Sequence, residues 1–330
     1  MRQTEQTFTT PAVWEPVYQL DVAAEPFEVE LFQCAAVRRL KHLHHFGAGA
    51  LIGPVTHSRY EHTVGVWALT KRWFPEWREL HAAAILHDVG HLPFSHSVEK
   101  ALGKSHHALT EEVIRSASVA SILAKHGLCA SRLIELLNED TPLSGQSDGI
   151  RIDHLDSFLR DTYGAGLYIK HPSDIIRGIT FCGNRIAADE ETALHICRAV
   201  AADNRIFAHP FYLAADEILS RAVLEQLKAD GSTAASLDGL TDYQLLQLLE
   251  SSSSAIVRDL TGVLTFEPHR IVIRPYGGGA YNAELRKIYN KQPLAGDRPV
   301  SDKLPEAKRL MSELEQLPRS CSFDILSAGR

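Results

Sequence analysis

The chain has 330 residues, 45% hydrophobic and 23% charged, which is enough for a full core as one large domain or a main domain with an appendage. A net charge of −7 and a pI near 6.2 exclude an overall basic field, so nucleic acid is not an expected partner, and no apolar run approaches the roughly 20 residues of a membrane span. The polar start, Met1 to Thr10, carries no export signal, and five scattered cysteines (Cys34, Cys129, Cys182, Cys197, Cys321) without a Cys-x-x-Cys pair fit a reducing cytoplasm better than a disulfide framework.

In chain order, helix signals dominate. Phe27 to His45 carries apolar residues at three and four spacing and stops at Gly47-Ala-Gly49. A helix from Tyr60 to Trp73 closes at Pro75. The next, from Glu76 to Asp88, ends at Gly90, a residue suited to a left-handed C-terminal position. His62 then starts one helix while His87 and Asp88 end the next, and a helical hairpin brings such ends to one level. Thr110 to Lys125 and Ser131 to Asn138 read as further helices, Thr141 to Gly149 as loop, and Ile150 to Tyr163 as helix. Beyond it, Ala187 to Ala202, Ile206 to Ala229, Tyr243 to Glu250 and Ser254 to Val263 are helical by pattern. Arg270 to Arg274 alternates as a strand does, with Ile288-Tyr289-Asn290 as its candidate partner, and Pro305 to Leu317 closes the chain as an amphipathic helix.

Of 17 histidines, eleven lie between His42 and His107, a density that packing does not require. Most read singly as core or surface residues. The cluster His62, His87, Asp88, His91 and His96 differs, because an adjacent His-Asp pair at a helix end can turn both side chains onto one ion, with His91 one turn on. Neutral imidazole and carboxylate are ligands that borderline divalent metals accept. Spacing alone leaves a metal site or a phosphate site open.

The run Ala84-Ile-Leu-His87-Asp88-Val-Gly-His91-Leu-Pro-Phe-Ser-His96-Ser-Val-Glu99 resembles the core motif of the HD-domain phosphohydrolases, in the branch of the SAM- and HD-domain deoxynucleotide triphosphohydrolases. Three further segments resemble that branch in the same order: Thr56 to Gly65 around Arg59 and His62, Ser105-His106-His107-Ala-Leu-Thr110, and Asp148 to Asp161 around Asp153. The resemblance implies that His62, His87, Asp88 and Asp153 hold one divalent ion (Mn, Fe, Co, Ni, Zn or Mg), with positions left for water and a phosphate oxygen. It implies a phosphate contact for Arg59, against which stands a surface salt bridge. It further implies that His91 meets the reacting phosphoryl group, that His96 protonates the leaving oxygen, and that Glu99 holds His106, with His107 as the competing assignment.

Departures bear on substrate. His45 stands where the branch has a sugar-sensing Gln, and His154 and Ser157 stand where some members place a triphosphate-binding lysine and tyrosine. Both of the latter changes remove phosphate-binding capacity. Asp161 matches the branch as an acceptor for a sugar hydroxyl, and Asp156 and Arg160 at i,i+4 read equally as a structural pair or as substrate contacts. The expectation is a mainly α protein, with an HD-domain helical core over 1–263 and a small α+β extension over 264–330. It would act as a cytoplasmic, metal-dependent hydrolase of nucleotides, triphosphohydrolase-like, with a homo-oligomer implied by the resemblance. The alternatives are a phosphatase or phosphodiesterase on mono- or diphosphates or another phosphate ester, and a nucleotide-sensing regulator without turnover.

Overall fold

A computed structural model describes residues 4–145, 149–231 and 233–327. Met1 to Gln3 of the polar start, Gln146 to Asp148 of the expected loop and the last three residues of the extension lie outside the described residues. Strands β1 (Ala12–Glu15) and β2 (Leu20–Ala23) form an antiparallel hairpin ahead of helices α1 (Pro26–Gln33) and α2 (Ala35–Arg39). The continuous helix expected over Phe27 to His45 is therefore broken. Cys34 is extended, and beyond Arg39 the chain makes only a 3₁₀ turn, Leu40–His42.

Helix α3 (Arg59–Trp73) begins at a capping box in which the Ser58 hydroxyl accepts from the Tyr60 N–H while Glu61 accepts from the Ser58 N–H. It packs on α4 (Arg78–Leu86). Then follow α5 (His96–Leu102), α6 (His106–Arg115), α7 (Ala117–Lys125), α8 (Ala130–Asn138), α9 (Ile152–Gly164) and α10 (Pro172–Ile175). The helix expected from Thr110 to Lys125 is two helices, because Ser116 is extended between α6 and α7.

Strands β3 (Ile179–Cys182) and β4 (Arg185–Ala188) take the start of the helix expected at Ala187. Asp189 instead caps α11 (Glu190–Phe207), which is followed by α12 (Pro210–Asp230), α13 (Asp242–Glu250) and α14 (Ala255–Thr265). The last elements are β5 (Ile271–Arg274), β6 (Tyr281–Glu284), β7 (Leu294–Ala295), β8 (Arg298–Pro299), α15 (Pro305–Glu315) and β9 (Ser320–Ile325). β5 pairs with β9, Ile273 opposite Phe323, and not with Ile288-Tyr289-Asn290, which lies outside the strands.

The expected mainly α architecture with small sheets toward the C-terminus is the one the chain adopts. Its apolar residues gather in two large clusters. One holds Phe27, Phe32, Trp67, Leu86, Leu155 and Ile196, and the other joins α12 and α14 to the β5-β9-β6 sheet through Leu219, Val223, Leu264 and Phe323. Residues past 264 are shared between them: β7 adds to β4 and α15 packs on α11 in the first, while β5, β6 and β9 complete the second. No helix among the described residues is long and apolar enough to cross a membrane.

Gly90 serves a different end from the left-handed cap expected of it, since its φ is not positive. A Cβ there would lie 2.1 Å from the Thr110 nitrogen and 2.5 Å from the His106 oxygen. The missing side chain lets the backbone of α6 come close enough to bring His106 beside the end of α4.

Candidate metal centre and active site

His62 projects from the first turn of α3, His87 caps α4, Asp88 follows it, and Asp153 lies in the first turn of α9. The structure brings all four together: His62 Nε2 is 3.2 Å from His87 Nε2, 3.2 Å from Asp153 Oδ1 and 4.0 Å from Asp88 Oδ2. His87 Nε2 is 3.8 Å from Asp153 Oδ1 and 3.7 Å from Asp88 Oδ1.

The far sides of both rings decide what these atoms can do. His87 Nδ1 donates to the Ala84 carbonyl at 2.8 Å and His62 Nδ1 to Asp156 Oδ2 at 2.8 Å, which turns the two Nε2 lone pairs toward each other. Two facing lone pairs repel unless a proton or a metal ion lies between them. Burial lowers the His62 pKa, but hydrogen bonds to Asp153 and Asp156 outweigh it and raise it to about 10, so these carboxylates favour positive charge at this point. Asp153 and Asp88 are both held below the ordinary carboxylate range against the effect of burial, Asp153 mainly by His62 and Asp88 mainly by Arg59. The donor set fits a divalent ion with two nitrogens and two carboxylates.

Asp156 reads from the sequence equally as a structural partner of Arg160 or as a substrate contact. It accepts from Arg160 Nε at 2.9 Å, yet it also takes the Tyr18 hydroxyl at 2.8 Å, and Arg160 reaches back to Glu15 at 2.8 Å. A fully buried chain thus runs from the β1–β2 hairpin through Arg160 and Asp156 to His62. Tyr18 and Glu15 escaped sequence reasoning, because nothing local to them signals a partner on α9.

Beside the metal set lies a second cluster. Glu99 Oε1 is 2.6 Å from His106 Nδ1, and the His91 ring stacks on His106 with centroids 3.9 Å apart while its Nε2 is 3.2 Å from Asp88 Oδ1. Burial would raise the Glu99 carboxyl, but hydrogen bonds from His106 and His96 hold it far below its usual range. His96 Nδ1 lies 3.0 Å from Glu99 Oε2 and 2.9 Å from Arg286 on the β6–β7 connection. His107 packs against His106 and lines a cavity of about 110 Å³ with His87, Asp88, Thr110 and Asp153.

Arg59 is 3% exposed, which removes the surface salt bridge as its role. It donates to Asp88 Oδ2 and to Ser95 Oγ at 2.6 Å. Phe94 and Ser95 both have positive φ, 50° and 53°, a backbone strain that L-residues accept where the surroundings enforce it. Here Asp242 takes the Phe94 N–H at 2.6 Å and Ser95 meets Arg59.

A third group lies on the other side of His62. His45 stacks over His57 and leans on His62, and His57 Nε2 is 3.3 Å from Asp161 Oδ1 without the alignment of a hydrogen bond. Burial holds both imidazoles well below their ordinary pKa and so neutral. Burial drives the Asp161 and Asp203 carboxyls upward, Asp203 further because the Asp161 charge adjoins it.

Residues 59–161, the segment that carries all four candidate ligands, match the HD domain family. The chain is 27% identical over 256 residues to a metal-dependent phosphohydrolase of Cordyceps militaris, covering 73% of each chain, and 29% identical over 243 residues to the Bacillus subtilis protein YdhJ, covering 70% of this chain and 73% of that one. A solved phosphohydrolase from Bacteroides thetaiotaomicron shares the fold with a TM-score of 0.75 at 14% identity, over 97% of this chain and all of that one.

Proposed function

We propose that this protein hydrolyses nucleotide phosphate esters, in a triphosphohydrolase-like reaction that releases nucleoside and triphosphate. The observation that carries the reading is the pair of facing Nε2 atoms of His62 and His87, each fixed from behind, with Asp88 and Asp153 beside them. When bound there, a divalent cation supplies Lewis-acid polarisation of a phosphoryl oxygen and lowers the pKa of water.

The surrounding residues suit a phosphoryl transfer. Arg59 and a neutral His91 both border Asp88 and offer donors to the charge that grows on phosphoryl oxygens. Glu99 fixes the tautomer of His106 by taking its Nδ1 proton, which leaves Nε2 facing away from the pair. His96 Nδ1 lies within reach of both Glu99 Oε2 and Arg286, contacts that hold the ring beside His91 and His106 as a candidate donor to a leaving oxygen. On the far side, Asp161 is fully buried and neither its oxygens nor His57 Nε2 makes a hydrogen bond. Such groups favour a hydroxyl-bearing ligand such as a sugar.

One observation favours phosphatase action on mono- or diphosphates. The cavity of about 110 Å³ against the ligands has room for a phosphoryl group and not for a nucleoside, since pockets that enclose whole small molecules measure about 300–1,000 Å³. The test is chelator-stripped protein given Mn, Fe, Co, Ni, Zn or Mg separately, with dNTPs, NTPs and nucleoside mono- and diphosphates as substrates. Nucleoside plus intact triphosphate is the expected product pair. Orthophosphate alone selects the phosphatase, and nucleotide binding without turnover under every metal removes hydrolysis altogether.

A further inference from the structure

After β6, residues 285–292 pass beside the metal centre before entering β7. The passage is pinned at intervals. Leu285 N–H donates to the Arg319 carbonyl at 2.7 Å, Tyr289 exchanges two hydrogen bonds with the Asn204 side chain at 2.8 and 3.2 Å, and the Gln292 carbonyl takes the Ile150 N–H at 3.3 Å. Asn204 is 3% exposed, so this backbone is fixed from the core outward.

Three side chains on the strap stand toward the site. Arg286 lies 2.9 Å from His96 Nδ1 and donates to Glu99 Oε2 at 3.2 Å, with a side chain 66% exposed. The Tyr289 ring lies 5.5 Å from the ring of His154, and Lys287 Nζ lies 5.1 Å over the Tyr289 ring with no carboxylate partner among the described residues. The Tyr289 N–H and carbonyl are both held by Asn204, so the ring keeps its place beside His154, the neighbour of Asp153 on α9.

Arg160 donates to Asp156 and Glu15, Arg59 donates to Asp88, and α9 carries His154 and Ser157 beside Asp153, so the strap is the element that brings further cationic side chains to this edge of the centre. A polyphosphate chain carries negative charge on every phosphoryl group and needs donors beyond the one nearest the metal ligands.

We infer that Arg286, Lys287 and Tyr289 form an anion subsite on the strap that binds the distal phosphates of a polyphosphate ester. This rests on the phosphohydrolase reading and deepens it. A guanidinium, an ammonium and a phenol, all donors, lie on a backbone that Asn204 holds at fixed distance from the ligands, so the phosphoryl group at the metal and those beyond it are read by different parts of the chain.

The test titrates the full chain calorimetrically with orthophosphate and with inorganic tripolyphosphate, the divalent ion buffered in excess of both. Wild type should bind tripolyphosphate at least about tenfold more tightly, a preference worth one charge-assisted contact. Lys287→Ala and Tyr289→Phe should each erode it several-fold, and the two changes combined should bring the two affinities within about twofold, orthophosphate binding being unchanged. Lys287 is exposed, so folding of Lys287→Ala is not at stake. A preference that survives the double change, or variants that weaken both anions in equal proportion, would overturn the subsite. If the preference behaves as expected while no ester is hydrolysed, the reaction fails and the subsite stands. Hydrolysis by a protein without the preference sinks the subsite alone.

Discussion

Replacing Asp156 by alanine leaves all four candidate ligands in place and removes the acceptor that holds the His62 Nδ1 proton. Loss of such an outer carboxylate lowers metal affinity about 10–100-fold, and Asp156→Asn, which keeps an acceptor oxygen, should lose less. Competition against a chelating dye measures both. His106→Ala should behave in the opposite way, keeping metal affinity while kcat falls about 10²–10⁴-fold, the span of a lost general acid–base group. Loss of metal along with turnover would show that His106 acts through the ligands. These two residues also mark what the sequence could reveal. His87, Asp88, His91, His96 and Glu99 fall within one short run, so their type and spacing could be weighed together. Asp156 could be weighed only against Arg160 one turn away, because its other partners, His62 and Tyr18, are 94 and 138 residues distant. Burial is what turns an i,i+4 pair into the support of a ligand, and burial is a property of the folded chain.

At the level of elements, Gly90→Ala tests whether the closeness of α6 to the end of α4 matters. The added methyl meets backbone, which cannot swing aside as a side chain can. We expect a loss of about 1–3 kcal/mol in urea unfolding, the range for overpacked interiors, together with a fall in kcat as His106 is pushed from Glu99. Unchanged stability would mean that α6 moves freely. Long helices such as α3, α11 and α12 were readable because their periodic patterns run over several turns. Strands β1 to β4 were not, whereas β5, no longer than they are, was legible because Ile271-Val272-Ile273 is β-branched throughout and is closed by Pro275 and a glycine run. The breaks at Cys34 and Ser116 carry neither proline nor glycine, so nothing in composition announces them.

For the molecule as a whole, pH offers a check on the first apolar cluster. Glu28 is fully buried in α1; burial raises its carboxyl, but hydrogen bonds from His81, Lys71 and the Glu25 N–H outweigh it and leave the folded value below the ordinary 4.5. A carboxyl depressed on folding adds stability that is complete above its unfolded value and is lost as pH falls through the folded one. Unfolding free energy should therefore decline below about pH 4.5, and Glu28→Gln should flatten that limb while lowering stability at neutral pH. Urea titrations across the acid range decide it, and an acid limb unchanged by the substitution would assign the loss to other carboxylates.

The buried chain from Glu15 and Tyr18 through Arg160 and Asp156 to His62 also orders events at the ribosome. The hairpin is made first, yet its partners on α9 emerge some 138 residues later, which at about 5–20 residues per second is a wait of roughly 7–28 s. His62, His87 and Asp88 precede Asp153, so for that interval the nascent chain displays half-supported imidazoles and an open hairpin. The candidate ligand set is complete only after α9 has left the exit tunnel, and an ion captured earlier would be held without Asp153 and without Asp156 behind His62.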